Sequence, residues 1–172
     1  CGGLVNFNYL AGEPVTGLSE GRPMFVRLPG AEMNLATFMR AQIYSSMETL
    51  KYGMEILSRE NVSIDCVYGH GGLFKTEGVG QNYLAAAIHA PVTVMETAGE
   101  GGAWGIALLA DYLVYHQPDE TLEDYLQNHV FTGMKQLTVS PDPDDEKGFN
   151  LYMERFINCL PAQKAASQHF TE

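Results

Sequence analysis

The chain has 172 residues, of which 45% are hydrophobic and 18% are charged, a composition typical of one globular domain with a substantial core. Ten Lys and Arg residues against 21 Asp and Glu residues give a formal net charge of −11, which argues against nucleic acid as a partner. The sequence shows no apolar run of membrane-spanning length and no signal-peptide pattern, so we expect no membrane partner either.

The three cysteines, Cys1, Cys66 and Cys159, have no metal-ligand spacing, and their odd number argues against a disulfide framework. We therefore expect a reducing, cytoplasmic setting. Cys66 lies in an apolar run, so we interpret it as a small buried hydrophobe rather than a nucleophile. The five histidines also lack ligand spacing, and no metal site is predicted. We interpret Cys1 as a cut end.

The first third of the chain contains an apolar segment at residues 3–10 and a strand at residues 24–28, which is closed by Pro29-Gly30. Residues 34–59 then predict one long amphipathic helix, because apolar residues recur at helical spacing. The residues of that stripe are Met47, Leu50, Met54 and Leu57. A stripe of this kind is expected to pack against a sheet.

A glycine turn forms the centre of the sequence. The apolar run 62–67 predicts a strand, glycines at 69, 71 and 72 interrupt it, and a helix-compatible segment ends at residues 85–88. Residues 92–96 give another strand, so we expect a right-handed parallel crossover.

Glycines in such a turn let a ligand approach the backbone, and the following helix presents free N–H groups. A nucleotide is the ligand that best suits such a turn. The glycines are explained about as well if the turn only connects the strand to the helix. The dinucleotide pattern fails because Phe74 stands where a glycine is required, and no P-loop pattern occurs. His70, inside the turn, is expected to contact solvent or nucleotide rather than a metal.

The last third begins with a second glycine segment at residues 98–102, which leads into a helix of small residues at 103–113. Small residues there allow close packing on a strand or beside a ligand. Thr121–Asp124 has the character of a capping box, and residues 146–159 predict an amphipathic tail helix.

Together these segments resemble the C-terminal half of the FGGY carbohydrate kinases, most nearly the xylulokinase and ribulokinase branches. The resemblance rests on the order and spacing of five segments, namely Gly3–Pro14, Arg22–Leu28, Phe38–Leu57, Gly71–Leu73 and Glu100–Ala110. The sequence departs from the family pattern at Pro14, Arg27, Tyr44 and Ala85–Ala87. The run Gly71–Leu73 looks more like ribulokinases, whereas the helices and tail look more like xylulokinases.

The resemblance implies an α/β fold, a partial ribonuclease H-like (actin-like ATPase) domain with a mixed sheet flanked by helices. Residues 1–172 would be the C-terminal, nucleotide-binding domain, truncated at its N-terminal side. The parent enzyme would use ATP and Mg²⁺ to phosphorylate a ketopentose, most nearly xylulose, in xylose metabolism. Ribulose or another sugar of the family is the alternative, and a homodimer of the full-length enzyme is allowed.

The resemblance also implies a cofactor-binding set with Gly71 and Gly72 near the α-phosphate and adenosine. The remaining members of that set are Leu73, Phe74 and Thr76, with Gly101, Gly102 and Gly105 as further candidates for the same wall. No catalytic base is expected in this chain, and the missing N-terminal domain would bind most of the sugar. We interpret Asp65 and Asp111 as structural or surface acids.

The isolated chain is therefore expected to lack sugar kinase activity and to bind nucleotide weakly at best. Two other classes of function remain open. One is a complete, noncatalytic nucleotide-binding or interaction module. The other is an α/β enzyme of different chemistry, although the sequence shows no Ser/His/Asp, Cys/His or metal constellation to support it.

Overall fold

A computed structural model describes residues 1–170 of the chain. The chain folds into two compact units, of which unit 1 comprises residues 1–64, 83–89 and the chain from 141 onward, and unit 2 comprises residues 65–82 and 90–140. The strands are β1 (Leu4–Phe7), β2 (Met24–Arg27), β3 (Val67–Gly69), β4 (Val92–Met95) and β5 (Gln136–Val139). The helices are α1 (Leu35–Ser45), α2 (Glu48–Arg59), α3 (Val79–Ile88), α4 (Gly101–Tyr115), α5 (Leu122–Tyr125) and α6 (Pro143–His169).

Unit 1 is built around an antiparallel hairpin of β1 and β2, in which Leu4 faces Arg27 and Phe7 faces Met24. All four residues of β1 are buried because α1 and α6 pack on this strand. Aromatic side chains fill most of the space between these elements. The largest fully buried side chains include Tyr44, Tyr152, Phe7, Phe149 and Phe156.

The prediction of one long helix over residues 34–59 is wrong, since the helix ends at Ser45 and α2 begins at Glu48. At the break the hydroxyl groups of Ser45 and Ser46 donate to the carbonyl oxygens of Gln42 and Ile43, at 2.9 and 2.7 Å. Serine hydroxyls that bond nearby carbonyls compete with helical hydrogen bonding, which accounts for the interruption.

The break also changes which residues the apolar stripe buries. Met47 is 2% exposed, as a core residue should be, but Leu50 is 50% exposed. The prediction that the whole stripe packs on a sheet is therefore wrong. Instead, α2 lies against α6 and against a short 3-10 turn at Pro14–Thr16.

Unit 2 contains a three-stranded sheet in which β3 is parallel to β4, and β4 is antiparallel to β5. This arrangement confirms the predicted parallel crossover and the mixed sheet. The strand β5 was not predicted from the sequence. The buried Gln81 of α3 stabilises the sheet, because its amide donates to the carbonyl oxygens of Val92 and Leu137, each at 2.7 Å.

The first strand of unit 2 is shorter than predicted, beginning at Val67 rather than at Val62. Its partner strand is preceded by Pro91, which accepts a hydrogen bond from Val67 but has no N–H to continue the ladder. Cys66 is consequently exposed, and the prediction that it is buried is wrong. Its Sγ lies 3.1 Å from Thr93 Oγ1.

The helices of the second half follow the predicted order with different bounds. The helix α4 begins at Gly101, so Gly101 and Gly102 belong to the helix and not to the loop before it. Thr121 caps α5 through a hydrogen bond from the Asp124 backbone, as the capping pattern predicted. The tail helix α6 is longer than predicted and continues through Pro161. Among residues 1–170, no helix is both long and apolar enough to cross a membrane.

Candidate functional site

The predicted glycine turn lies directly after β3, at the surface of unit 2. Gly71 has φ of 102° and ψ of −174°, a backbone conformation that is essentially restricted to glycine. Gly72–Phe74 then form one turn of 3-10 helix, in which Gly72 and Leu73 are exposed. The backbone of the turn is therefore accessible from solvent and is not sealed in the core.

The glycines around this turn have two different roles. A Cβ atom on Gly69 would lie 2.6 Å from the Phe74 ring, and one on Gly80 would lie 2.5 Å from the Leu73 carbonyl oxygen. These two glycines thus allow Leu73 and Phe74 to pack closely. By contrast, a Cβ on Gly72 would meet no atom within 4 Å, so the space beside it is open.

The structure brings the second glycine segment against the first. The Gly71 N–H donates to the Ala98 carbonyl oxygen at 2.7 Å. A Cβ on Gly101 would lie 2.7 Å from His70 Nδ1, so a larger residue there would require the His70 side chain to shift. The sequence therefore identified two segments that do meet, although it could not show which atoms join them.

An exposed ion pair lies across the same junction, with Lys75 Nζ 2.9 Å from Glu100 Oε1. The hydrogen bond from Lys75, together with its charge, lowers the pKa of Glu100. The Glu100 carboxylate therefore balances the positive charge of Lys75, which stands one residue beyond the 3-10 turn.

The remaining predicted site residues are not drawn into this junction. Gly102 and Gly105 lie in the first two turns of α4, and a Cβ on either would meet no atom within 4 Å. Thr76 and Gly102 are exposed and Gly105 is half-buried. In the described part of the chain, none of the three is held by a hydrogen bond to the glycine turn.

A cleft of about 550 Å³ opens beside the glycine turn within unit 2. Its lining combines aromatic and thioether side chains with an imidazole and two amides, contributed by Tyr68, His70, Met95, Trp104, Gln127, Phe131, Met134 and Gln136. His70 is the residue that the cleft shares with the turn. Flat apolar surfaces with a few polar groups are typical of sites for small planar ligands.

Sequence reasoning missed most of this cleft. Trp104 carried a weak signal, as the single tryptophan of the chain in the first turn of a helix of small residues. Phe131 carried none, because it follows a π-helical segment, Leu126–Val130, that no periodicity predicted. A second cavity of about 360 Å³ lies in the same unit and is lined in part by Phe74 and Lys75.

The two acids interpreted from the sequence as structural or surface groups do not line the cleft beside the glycine turn. Asp65 is exposed, and Asp111 accepts a hydrogen bond of 2.6 Å from the Tyr125 hydroxyl. That hydrogen bond raises the pKa of Tyr125 to about 12. Asp111 therefore connects α4 to α5. Within residues 1–170, no three His, Cys, Asp or Glu side chains are grouped closely enough to hold a metal ion.

Comparison with known protein families gives one match. The family model described as the C-terminal domain of the FGGY family of carbohydrate kinases matches residues 1–114. No curated protein matches the chain.

Solved structures with the same fold include three sugar or sugar-acid kinases. Ligand-bound xylulose kinase from Lactobacillus acidophilus superposes with a TM-score of 0.71 at 18% identity, over 98% of this chain and 33% of that chain. Gluconate kinase from the same organism has a TM-score of 0.71 at 18% identity, with 98% and 32% covered. Xylulose kinase from Rhodospirillum rubrum has a TM-score of 0.64 at 18% identity, with 94% and 30% covered.

These similarities confirm the predicted fold class, an α/β domain of the actin-like ATPase type with a mixed sheet and flanking helices. The chain spans about a third of the length of the solved kinases it resembles.

Proposed function

Because this chain belongs to the FGGY family of carbohydrate kinases through the C-terminal domain of that family, we propose that it is the nucleotide-binding portion of an ATP-dependent sugar kinase. The observation that carries the proposal is the solvent-accessible backbone at Gly71 and Gly72, beside an open aromatic cleft. Such a turn lets a phosphate lie close to the backbone because no side chain intervenes, and since the Gly71 N–H already donates to Ala98, the approach of the phosphate is proposed to be at Gly72.

Each part of the site has a role in this proposal. The α-phosphate lies close to the backbone of Gly71 and Gly72, and the adenosine lies against the cleft that Tyr68 and Trp104 help to form. Leu73 and Phe74 support the turn by packing on Gly80 and Gly69. Thr76, Gly101, Gly102 and Gly105 complete the proposed wall, and among them Gly101 lies against His70, which also lines the cleft.

The chain's own residues bind and position the nucleotide in this proposal and do not transfer the phosphoryl group. Phosphoryl transfer needs a carboxylate to accept the proton of the sugar hydroxyl, and the proposal assigns that group and the sugar contacts to a part of the enzyme outside this chain. The short coverage of the solved kinases supports the assignment. Residues 1–172 are accordingly proposed to be an incomplete C-terminal domain.

Mg²⁺ enters the proposal with the nucleotide. This ion usually keeps several waters and binds through the phosphates with one or two carboxylates, so it needs no cage of three acidic side chains. When bound, it neutralises charge on the phosphates. We assign no residue of this chain to it, because Glu100 is already paired with Lys75.

For the sugar, we propose a ketopentose with xylulose as the first choice. Two of the three kinases described above are xylulose kinases, which supports this choice, and the third is a gluconate kinase. Ribulose stays an alternative because the run Gly71–Leu73 resembles ribulokinases. We place the enzyme in the cytoplasm, where ATP is available, and a homodimer of the complete enzyme stays part of the proposal.

The nucleotide site is tested by Gly72→Ala in the 172-residue chain. The added methyl group enters open space, so the fold should be retained while the approach of a phosphate is blocked. Saturation-transfer NMR with MgATP should show a signal for the wild-type chain and a strongly reduced one for the variant. Gly30→Ala is the matched control, since it also adds a methyl group in open space, but in unit 1.

Equal signals for Gly72→Ala and the wild type would contradict the placement of the phosphate. No signal with either protein would contradict nucleotide binding by this part of the enzyme. In a coupled assay with xylulose and MgATP, the isolated chain should show no turnover. Turnover at an ordinary rate would refute the assignment of the catalytic base to residues outside the chain.

A further inference from the structure

Glu48 is a fully buried carboxyl group with one hydrogen-bond partner. It stands at the first residue of α2 in unit 1, and 0% of its surface is exposed. Its Oε2 lies 2.7 Å from the Tyr152 hydroxyl of α6, whereas Oε1 has no partner among the described residues. A carboxylate left in this position would lack most of the hydrogen bonds that a buried charge needs.

The geometry around Tyr152 indicates which protonation state fits. The Tyr152 hydroxyl has one hydrogen but faces two acceptors, Glu48 Oε2 at 2.7 Å and the Asn6 carbonyl oxygen of β1 at 3.3 Å. An ionised Glu48 therefore competes with Asn6 for that hydrogen. A protonated Glu48 donates to the Tyr152 oxygen, and Tyr152 is then free to donate to Asn6.

In the part of the chain that the structure describes, no charged side chain compensates a negative charge on Glu48. Apart from the Tyr152 hydrogen bond, the N-terminus of α2, where Glu48 stands, is the one feature that favours its ionised form. From α6 it faces Tyr152, and beyond β1 it faces Tyr9, whose hydroxyl bonds Thr49 Oγ1 at 3.0 Å. From α1, Tyr44 packs against the Tyr152 ring. Within residues 1–170, Glu48 forms no salt bridge. Lys51, on the same helix, interacts with the carboxylates of Glu55 and Glu146 rather than with Glu48.

Burial raises the pKa of Glu48 to about 8, and the hydrogen bond from Tyr152 opposes part of that rise. Burial, followed by the charge of Glu48, also raises the pKa of Tyr152, so this hydroxyl keeps its proton throughout the range in which Glu48 titrates. The raised pKa values of Glu48 and Tyr152 agree with the geometry, in which one Tyr152 hydrogen faces two acceptors and Glu48 must supply a second hydrogen.

We propose that Glu48 is a neutral, hydrogen-donating acid that joins α2 to α6 and β1, and that holding this proton makes the fold lose stability as the pH rises from the acidic into the neutral range. The folded state holds a proton that the unfolded state releases above the ordinary value of 4.5. The free energy of unfolding therefore falls as the pH rises from that value to about 8. Below the window both states are protonated and the group has no effect.

The test is Glu48→Gln in the full chain, measured by urea denaturation monitored by circular dichroism across the window. Gln keeps the shape and the donor but cannot ionise. Relative to the wild type, the folding equilibrium constant of the variant should rise by up to roughly tenfold per pH unit inside the window. Glu55→Gln on the same helix is the control, because Glu55 is partly exposed and pairs with Arg59, and it should follow the wild type. Parallel pH profiles for Glu48→Gln and the wild type would overturn the proposal.

A second measurement does not depend on the folding of that variant. Infrared titration of the wild-type chain should show the carbonyl band of a buried carboxylic acid at neutral pH, which disappears as the pH passes about 8. Tyr152→Phe removes the acceptor of the Glu48 proton and should shift the frequency of that band. Absence of the band at neutral pH, or a band that Tyr152→Phe leaves unchanged, would refute a neutral Glu48.

Discussion

Gly71→Ala should destabilise unit 2, whereas Gly72→Ala should not, although the two glycines are adjacent and neither has an atom within 4 Å of the place for a Cβ. The difference lies in the backbone. Gly71 has φ of 102° and ψ of −174°, whereas Gly72 is not among the residues with positive φ. Only the substitution at Gly71 therefore forces an L-residue into a conformation that glycine alone adopts readily.

The expected magnitude follows from two opposing terms. A non-glycine residue in this conformation costs about 1–3 kcal/mol. Replacing glycine by alanine also restricts the unfolded chain, which returns about 0.4–1 kcal/mol. The net expectation for Gly71→Ala is a loss of about 1–2 kcal/mol, or about tenfold in the folding equilibrium constant. Gly72→Ala only restricts the unfolded chain, so its free energy of unfolding should be unchanged or slightly higher than that of the wild type.

Trp104 provides the assay because it is the single tryptophan and lies in unit 2, with its ring 6.2 Å from that of Phe131. Urea denaturation followed by its fluorescence should show a lower midpoint for Gly71→Ala and an unchanged or higher midpoint for Gly72→Ala. Equal midpoints for the two variants would refute the assignment of backbone strain to Gly71.

Two further substitutions test unit 1, both by urea denaturation monitored by circular dichroism. Phe156→Ala should lower the free energy of unfolding by about 3–5 kcal/mol, because this ring is 0% exposed and packs 5.2 Å from Phe7. Ile157→Ala, at a side chain that is 37% exposed, should cost much less, and equal losses would contradict the packing. Asn34→Ala should cost about 0.5–2 kcal/mol, since the Asn34 side chain accepts a hydrogen bond from the Thr37 backbone at 2.9 Å. Asn34→Asp should retain most of that stability, and equal losses for both Asn34 variants would exclude the cap.

Local patterns in the sequence correctly predicted those helices, turns and strands that depend on residues close together in the chain. The alternation of turn, helix and strand around Gly71 gave the parallel pairing of β3 with β4, and Thr121 gave the start of α5. The resemblance to a kinase family supplied the mixed sheet and the class of fold. These predictions depend on neighbours in sequence or on the order of segments, both of which a single sequence records.

The errors arose where distant residues decide the outcome. Cys66 was predicted to be buried, but the ladder of β3 cannot extend past Pro91 of the neighbouring segment. The break between α1 and α2 is the exception, because it is local: the Ser45 and Ser46 hydroxyls bond carbonyl oxygens three residues earlier in the chain. The cleft could not be predicted because Tyr68, Trp104 and Phe131 come from three separate elements. The predicted roles of Gly71 and its neighbours in nucleotide binding stay predictions.

The discontinuous path of the chain affects the order in which the units are completed during synthesis. Unit 1 takes its last segment from residues that follow all of unit 2, and this segment includes α6 with Phe149 and Phe156. Until α6 leaves the ribosome, Phe7 and Tyr44 lack the rings of Phe156 and Phe149 that pack against them in the folded chain. A nascent or prematurely terminated chain would thus expose an aggregation-prone aromatic surface, which chaperones would bind and proteases would cleave.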